Sequence, residues 1–243
     1  MKLRAVFFDA GHTLLHAHPS VGHIYSREAE ALGVRMDPDR MGAAFSKVFA
    51  ANEAELAANS IGAVASDEQD AAMWRSIVLR VHAATPELRG LDVQAWYERL
   101  YERFGQPDLW RLYPEVESVL KELRGRGLKI GVISNWSTRL RHVAEGTGLD
   151  KLVDFIVVSS EAGARKPDPH IFHVALHRAG VSPGSAVHVG DQVEDDVHGA
   201  ERMGIRPVFL WRKPGPAPAL NGIAIIRDLS ELVGVLLSVE GSP

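Results

Sequence analysis

The chain has 243 residues, long enough for one generous domain or for a core with a smaller companion. Its formal charge of −4 comes without a basic run, which argues against nucleic acid or an anionic membrane as main partner. It contains no cysteine, so disulfides, thiolate metal sites and cysteine nucleophiles are excluded.

The first predicted element is the apolar run 3–8, which ends in Asp9, Ala10, Gly11, His12 and Thr13. A short apolar run closed by turn residues reads as a buried strand, and the carboxyl end of such a strand is where open α/β sheets hold ligands. Taken alone, Asp9 could equally cap a turn. Lys2 and Arg4 imitate the start of a secretory signal, but the run is short and Asp9 interrupts it, so a cytoplasmic protein is expected. His12, His16, His18 and His23 follow closely. Pro19 and Gly22 break any helical register among them, which speaks against a histidine metal cluster.

From 21 to 104 the pattern is helical throughout. Met41, Phe45, Val48 and Phe49 share one face, as do Trp74, Ile77, Val78 and Val81, and later Val93, Trp96, Leu100 and Phe104. These stripes are read as the core of a helical bundle inserted after the first strand, with linkers near 16–20 and 105–113.

From Pro114 onward helices and strands alternate. A helix with apolar Val116, Val119, Leu120 and Leu123 stops at Gly125-Arg126-Gly127. Strands are predicted over 128–133, 155–158, 186–189, 207–210 and 223–226. Intervening helices carry Leu140 and Val143, then span 169–179, then carry Val193, Val197, Ala200 and Met203. Repeated strand–helix units imply an α/β fold with a parallel sheet covered by helices on both faces.

Complementary polar groups follow four of these strands. After Asp9 come Ser134-Asn135 ahead of a helix N-terminus, Lys166-Pro167-Asp168-Pro169, and Gly190-Asp191 with Asp195 and Asp196 behind it. Asp168 is suited to cap the next helix with Pro169 in its first turn, which would fix Lys166 in a loop facing the crevice.

Together Asp9 with Thr13, Ser134-Asn135, Lys166-Pro167-Asp168-Pro169, and Gly190-Asp191 with Asp196 resemble the motifs of the haloacid dehalogenase superfamily. The closest likeness is to the branch with a helical cap inserted after the first motif (subfamily I, C1 cap). The resemblance covers nearly the whole chain. It implies a Rossmann-like, three-layer core over 1–16 and 112–243, a helical cap over 17–111, and a catalytic Mg²⁺ in the phosphatase members.

On that pattern Asp9 is the nucleophile that takes up a phosphoryl group from a small phosphorylated substrate. Mg²⁺ is expected on Asp9, the Gly11 carbonyl and Asp191, with Asp196 orienting either the metal's waters or Lys166. Lys166 and Ser134 neutralise and hold the phosphate; Gly11, Thr13 and Asn135 line its site, and the Thr13 hydroxyl is expected to brace the first loop. The chain is expected to act as a monomer or homodimer.

The departure is Gly11. Phosphatases of this superfamily usually carry there a second Asp that protonates the leaving group and later activates water. Three explanations compete: His12 substitutes for it, the substrate has a good leaving group, or the protein binds phosphorylated ligands without turning them over. Haloacid dehalogenation needs no metal, and the retained Asp191 and Asp196 argue against it. Phosphonate cleavage through an imine would need Lys47, the only lysine in the predicted cap, which otherwise reads as an exposed helical residue.

Overall fold

The computed structural model describes residues 2–57 and 64–240, with 56–57 and 238–240 by backbone only. The strands are β1 (Ala5–Phe8), β2 (Leu15–Ala17), β3 (Trp110–Leu112), β4 (Lys129–Ser134), β5 (Phe155–Val158), β6 (Ala186–Gly190), β7 (Arg206–Leu210) and β8 (Ala224–Ile226). The helices are α1 (Val21–Glu30), α2 (Pro38–Ala57), α3 (Asp67–Ala84), α4 (Val93–Arg103), α5 (Val116–Gly125), α6 (Arg139–Thr147), α7 (Ser159–Ala162), α8 (Pro169–Ala179), α9 (Gly199–Arg202) and α10 (Leu232–Glu240).

Six strands form one parallel sheet in the order β5-β4-β1-β6-β7-β8. This is the doubly wound order, in which the chain reverses direction across the sheet on either side of β1. In β1, successive side chains point to opposite faces. Val6 and Phe8 join an apolar cluster with α5, α6 and α10, whereas Ala5 and Phe7 pack with Ile171, Phe172 and Ala175 of α8. Both faces are therefore dry, which explains why the strands read as unbroken apolar runs and not as alternating ones. The architecture is the expected Rossmann-like α/β sandwich of three layers.

Helices α1–α4 gather around a third apolar cluster that includes Tyr25, Met41, Ile77 and Trp96. The linkers, expected as loops, instead pair: β2 and β3 form a small antiparallel ribbon, with His16 opposite Arg111. Three-residue strands are too short to show a period in sequence. The helix expected to carry Val193 opens as a π-helix, Val193–His198, before α9. Among the described residues, no helix is long and apolar enough to cross a membrane.

Candidate active site

Three adjacent strands, β4, β1 and β6, deliver Ser134, Asp9 and Asp191 to one edge of the sheet. The loop after β5 adds Lys166. Asp168 caps α8 by accepting a hydrogen bond from the His170 amide at 2.8 Å, with Pro169 in the first turn, as the sequence suggests. Asn135 then fixes the same loop by reciprocal bonds. Its amide donates to the Lys166 carbonyl at 3.0 Å, and its carbonyl accepts from the Lys166 amide at 2.7 Å.

Lys166 is only 2% exposed. Its Nζ donates to Asp9 Oδ1 at 2.7 Å and to Asp196 Oδ1 at 2.6 Å. Burial disfavours the ammonium, but Asp196 and Asp9 more than offset this and hold its pKa above the ordinary lysine value. One cation thus serves two carboxylates unequally. Burial raises Asp196, yet Lys166 and His188 pull it well below the usual range. Asp9 stays raised, because burial and the charge of Asp196 outweigh its share of Lys166.

Asp196 is accounted for on both oxygens. Oδ1 also accepts from His188 Nε2 at 2.9 Å, and Oδ2 accepts from the Gln192 amide at 2.9 Å. Of the two roles open to it, the contacts observed are those that hold Lys166. Gly190 makes this possible: a Cβ there would lie 2.1 Å from Asp196 Cγ.

Ser134 donates from Oγ to Asp9 Oδ1 at 3.2 Å. Both polar partners of Asp9 therefore fall on Oδ1. Asp191 has no ion-pair partner among the described residues. Burial raises its pKa well above the carboxylate range, and the charges of Asp9 and Asp196 raise it further. Among the described residues no three His, Asp or Glu side chains converge into a complete metal cage. The first loop, however, spends the Ala10 and Leu15 carbonyls on its own turn, with bonds to Leu14, Leu15 and His12 amides. Asp9, Asp191 and the Gly11 carbonyl would offer an all-oxygen donor set of the kind that suits a hard divalent cation, so the residues present fit such an ion.

Gly11 and His12 line the same cavity as Asp9. A Cβ at Gly11 would meet nothing within 4 Å, so glycine there is not required by packing. His12 adopts a left-handed backbone with φ 57°. It is solvent-accessible at the mouth, yet the surrounding protein pushes its imidazole below the ordinary value, against the pull of Asp9. Thr13 corrects an expectation: it is fully buried, lies outside the cavity lining, and its hydroxyl has no partner. It braces the loop through its backbone, where its carbonyl accepts from Arg212 at 3.1 Å. Lys47 is exposed on α2 and is not among the residues that line the cavity, which fits its reading as an exposed helical residue.

Several participants escape a reading by motif. Asp195 is buried, accepts from Asn135 Nδ2 at 2.8 Å, and is raised by burial to about 7. His188 sits inside β6 with no exposed surface, and burial lowers its imidazole pKa. A histidine inside an apolar strand was the available signal. Phe45, Phe49 and Trp74, expected as bundle core, are half-buried and line the cavity. The stripe was right, but helical spacing cannot tell a core from a chamber wall.

The family profile described as haloacid dehalogenase-like hydrolase matches residues 3–204. The chain belongs to the haloacid dehalogenase-like hydrolases. Haloacid dehalogenase-like hydrolase domain-containing protein 3 of Bos taurus is 33% identical over 247 residues, covering 100% of this chain and 97% of that protein. A phosphoserine phosphatase of Thermus thermophilus is 41% identical over 123 residues, 50% of this chain and 49% of that enzyme. Among solved structures, a haloacid dehalogenase-type phosphatase from Thermococcus onnurineus superposes with a TM-score of 0.64 at 27% identity, covering 96% of this chain and 98% of that one. This haloacid dehalogenase-like hydrolase therefore has relatives named as phosphatases in sequence and in structure.

Proposed function

We propose that this hydrolase is a Mg²⁺-dependent phosphatase acting on a small phosphorylated metabolite through an aspartyl-phosphate on Asp9. The observation that carries this reading is the convergence of Asp9, Lys166 and Ser134 within 2.7 and 3.2 Å at adjacent parallel strand ends. Since Lys166 and Ser134 both engage Oδ1, Oδ2 is the oxygen left to attack phosphorus. Lys166 supplies positive charge to the phosphoryl oxygens, and Asp196 with His188 behind it holds that ammonium in place. Asp9, Asp191 and the Gly11 carbonyl would hold the metal. When bound, it supplies charge that allows a carboxylate to approach a phosphate dianion. Residues 17–111 would act as a cap that covers and selects the leaving group, with 1–16 and 112–243 as catalytic core. His12 is the imidazole placed beside Gly11 and would serve where proton transfer is needed.

Turnover of p-nitrophenyl phosphate with and without Mg²⁺, beside Asp9→Asn, tests the reading. Activity is expected to require both the metal and Asp9; activity that survives Asp9→Asn would overturn it. Gly11 favours one second reading, a phospholigand-binding protein without turnover. That reading predicts saturable phosphate-analogue binding and no metal-dependent product release.

A further inference from the structure

Past the carboxylates, the cavity becomes a chamber of rings. Phe45 stacks on Phe49 with centroids 5.4 Å apart, and Phe49 on Trp74 at 6.0 Å, with interplanar angles of 22° and 21°. Beyond Tyr25, which touches both Phe45 and Phe104, Phe104 meets Trp110 at 6.1 Å, and Trp110 meets Trp136 at 4.8 Å. Trp136 follows Ser134-Asn135 directly in the chain, so the aromatic lining begins where the phosphate would end. All of these rings line one cavity with Asp9 and Lys166.

Two arginines reach this chamber from outside the phosphate end; Arg139 is fully engaged, whereas Arg165 is paired only loosely and its buried Nε has no partner. Arg139 donates to Asp70 at 3.0 Å and to the Tyr101 carbonyl at 2.5 Å, and lies 3.6 Å from the Tyr101 ring centroid. Arg165 faces Glu53 at 4.0 Å and donates to the Met73 sulfur at 3.6 Å. A sugar or amino-acid leaving group would bring several hydroxyl or charged groups against ring faces and lose their hydration. A flat apolar group would instead stack with the walls. The whole cavity, phosphate end included, has a volume of about 170 Å³, which leaves the aromatic part small. Dry protein cavities of about 150 Å³ are known to take up benzene, which sets the scale at one ring.

The second, independent observation is Gly11. A Cβ at this position would meet nothing within 4 Å, and no acid side chain is present there. A phenol, with a pKa near 10 like tyrosine, departs as its anion far more readily than an alkanol.

We propose that the substrate class is the monophosphate ester of a single-ring phenol, the ring seated in the aromatic chamber. This rests on the phosphatase reading above and narrows it. In the first step Asp9 Oδ2 forms a bond to phosphorus while the bond between phosphorus and the phenolic oxygen breaks. The electron pair leaves on the phenolate, which takes its proton from solvent. In the second, water attacks the aspartyl-phosphate, inorganic phosphate departs and the Asp9 carboxylate is restored.

The probes are phenylphosphonate and methylphosphonate, which cannot be hydrolysed at their phosphorus–carbon bonds, titrated by calorimetry with Mg²⁺ present. Phenylphosphonate should bind about 10- to 100-fold tighter, the ratio expected from burying one phenyl group. In Trp74→Leu and in Phe49→Leu that ratio should fall at least several-fold. Two sites of substitution guard against one variant failing to fold. Equal affinities in the parent protein, or an unchanged ratio in both folded variants, would overturn the aryl assignment. The paired activity assay compares phenyl phosphate with glycerol phosphate, and kcat/KM should favour the former by at least about 100-fold. A preference for glycerol phosphate would also overturn the assignment. Tight phenylphosphonate binding without turnover of any ester would sink the phosphatase reading while leaving the aryl site standing.

Discussion

Replacing Lys166 by Met removes one ammonium and strands two carboxylates. Lys166 and Asp196 side chains are each 2% exposed, so water cannot step in for the lost partner. Breaking a buried pair from one side typically costs about 3–5 kcal/mol, because an uncompensated charge stays behind. For a chain of this size that corresponds to a fall in Tm of roughly 6–20 °C. The companion variant Lys166→Met/Asp196→Asn removes the stranded charge as well, while the carboxamide oxygen it introduces can still accept from His188. It should recover a substantial part of the loss, although both variants should have lost at least about 100-fold in kcat. Thermal and urea denaturation followed by circular dichroism measure the first quantity, and steady-state hydrolysis the second. A single variant that melts within about 1–2 °C of the parent would refute the idea that the ammonium neutralises two desolvated acids. A double variant no more stable than the single one would refute the assignment of the cost to Asp196.

Gly11→Asp, whose Cβ would meet nothing within 4 Å, should raise glycerol phosphate turnover by about 10²- to 10⁴-fold and phenyl phosphate turnover far less. An equal gain on both esters would contradict the leaving-group argument. For Asp195, held at about 7 in the fold, the protonated form is the one the folded state prefers; that preference contributes fully below about pH 4 and is lost as pH rises through 7. Asp195→Asn should therefore gain stability relative to the parent between about pH 5 and 8, by at most about 4 kcal/mol, and parallel stability curves would refute it. Gly22→Ala places a Cβ 2.1 Å from the Pro38 carbonyl oxygen where α1 crosses α2, and should cost about 1–3 kcal/mol. Gly42→Ala, whose Cβ would meet only Gly22 at 3.7 Å and beyond, should cost nothing or add stability, as read by denaturant melts.

The legible parts of this chain are those in which local sequence and final environment agree. The apolar runs of β1, β4 and β6 could only be strands buried on both faces, and the polar residues at their ends could only lie at one edge. Asp168-Pro169 announced the start of α8 and thereby the position of Lys166. What stayed hidden depends on contacts between distant segments. The pairing of Leu15–Ala17 with Trp110–Leu112 joins residues nearly a hundred positions apart. Asp195 and Asp196 are adjacent acids in sequence, but one binds Asn135 and the other binds Lys166, a division set by the wide π-turn that carries them. The Thr13 hydroxyl illustrates the opposite error, a polar group assumed bonded that packing leaves alone.

Two electrostatic joints of different character sit at either end of α6's neighbourhood. Arg139 and Asp70, with side chains 21% and 9% exposed, tie α3 to α6, and Asp67 accepts from the Thr138 amide at 2.9 Å beside them. Lys166 and Asp196 are far more deeply buried, with side chains each 2% exposed. Dissolved ions reach the first joint and not the second. Raising the salt should thus loosen the tie between α3 and α6 before it disturbs the charged centre beneath, so that the hold of the helical segment on the core and the chemistry answer to different features of the surrounding medium.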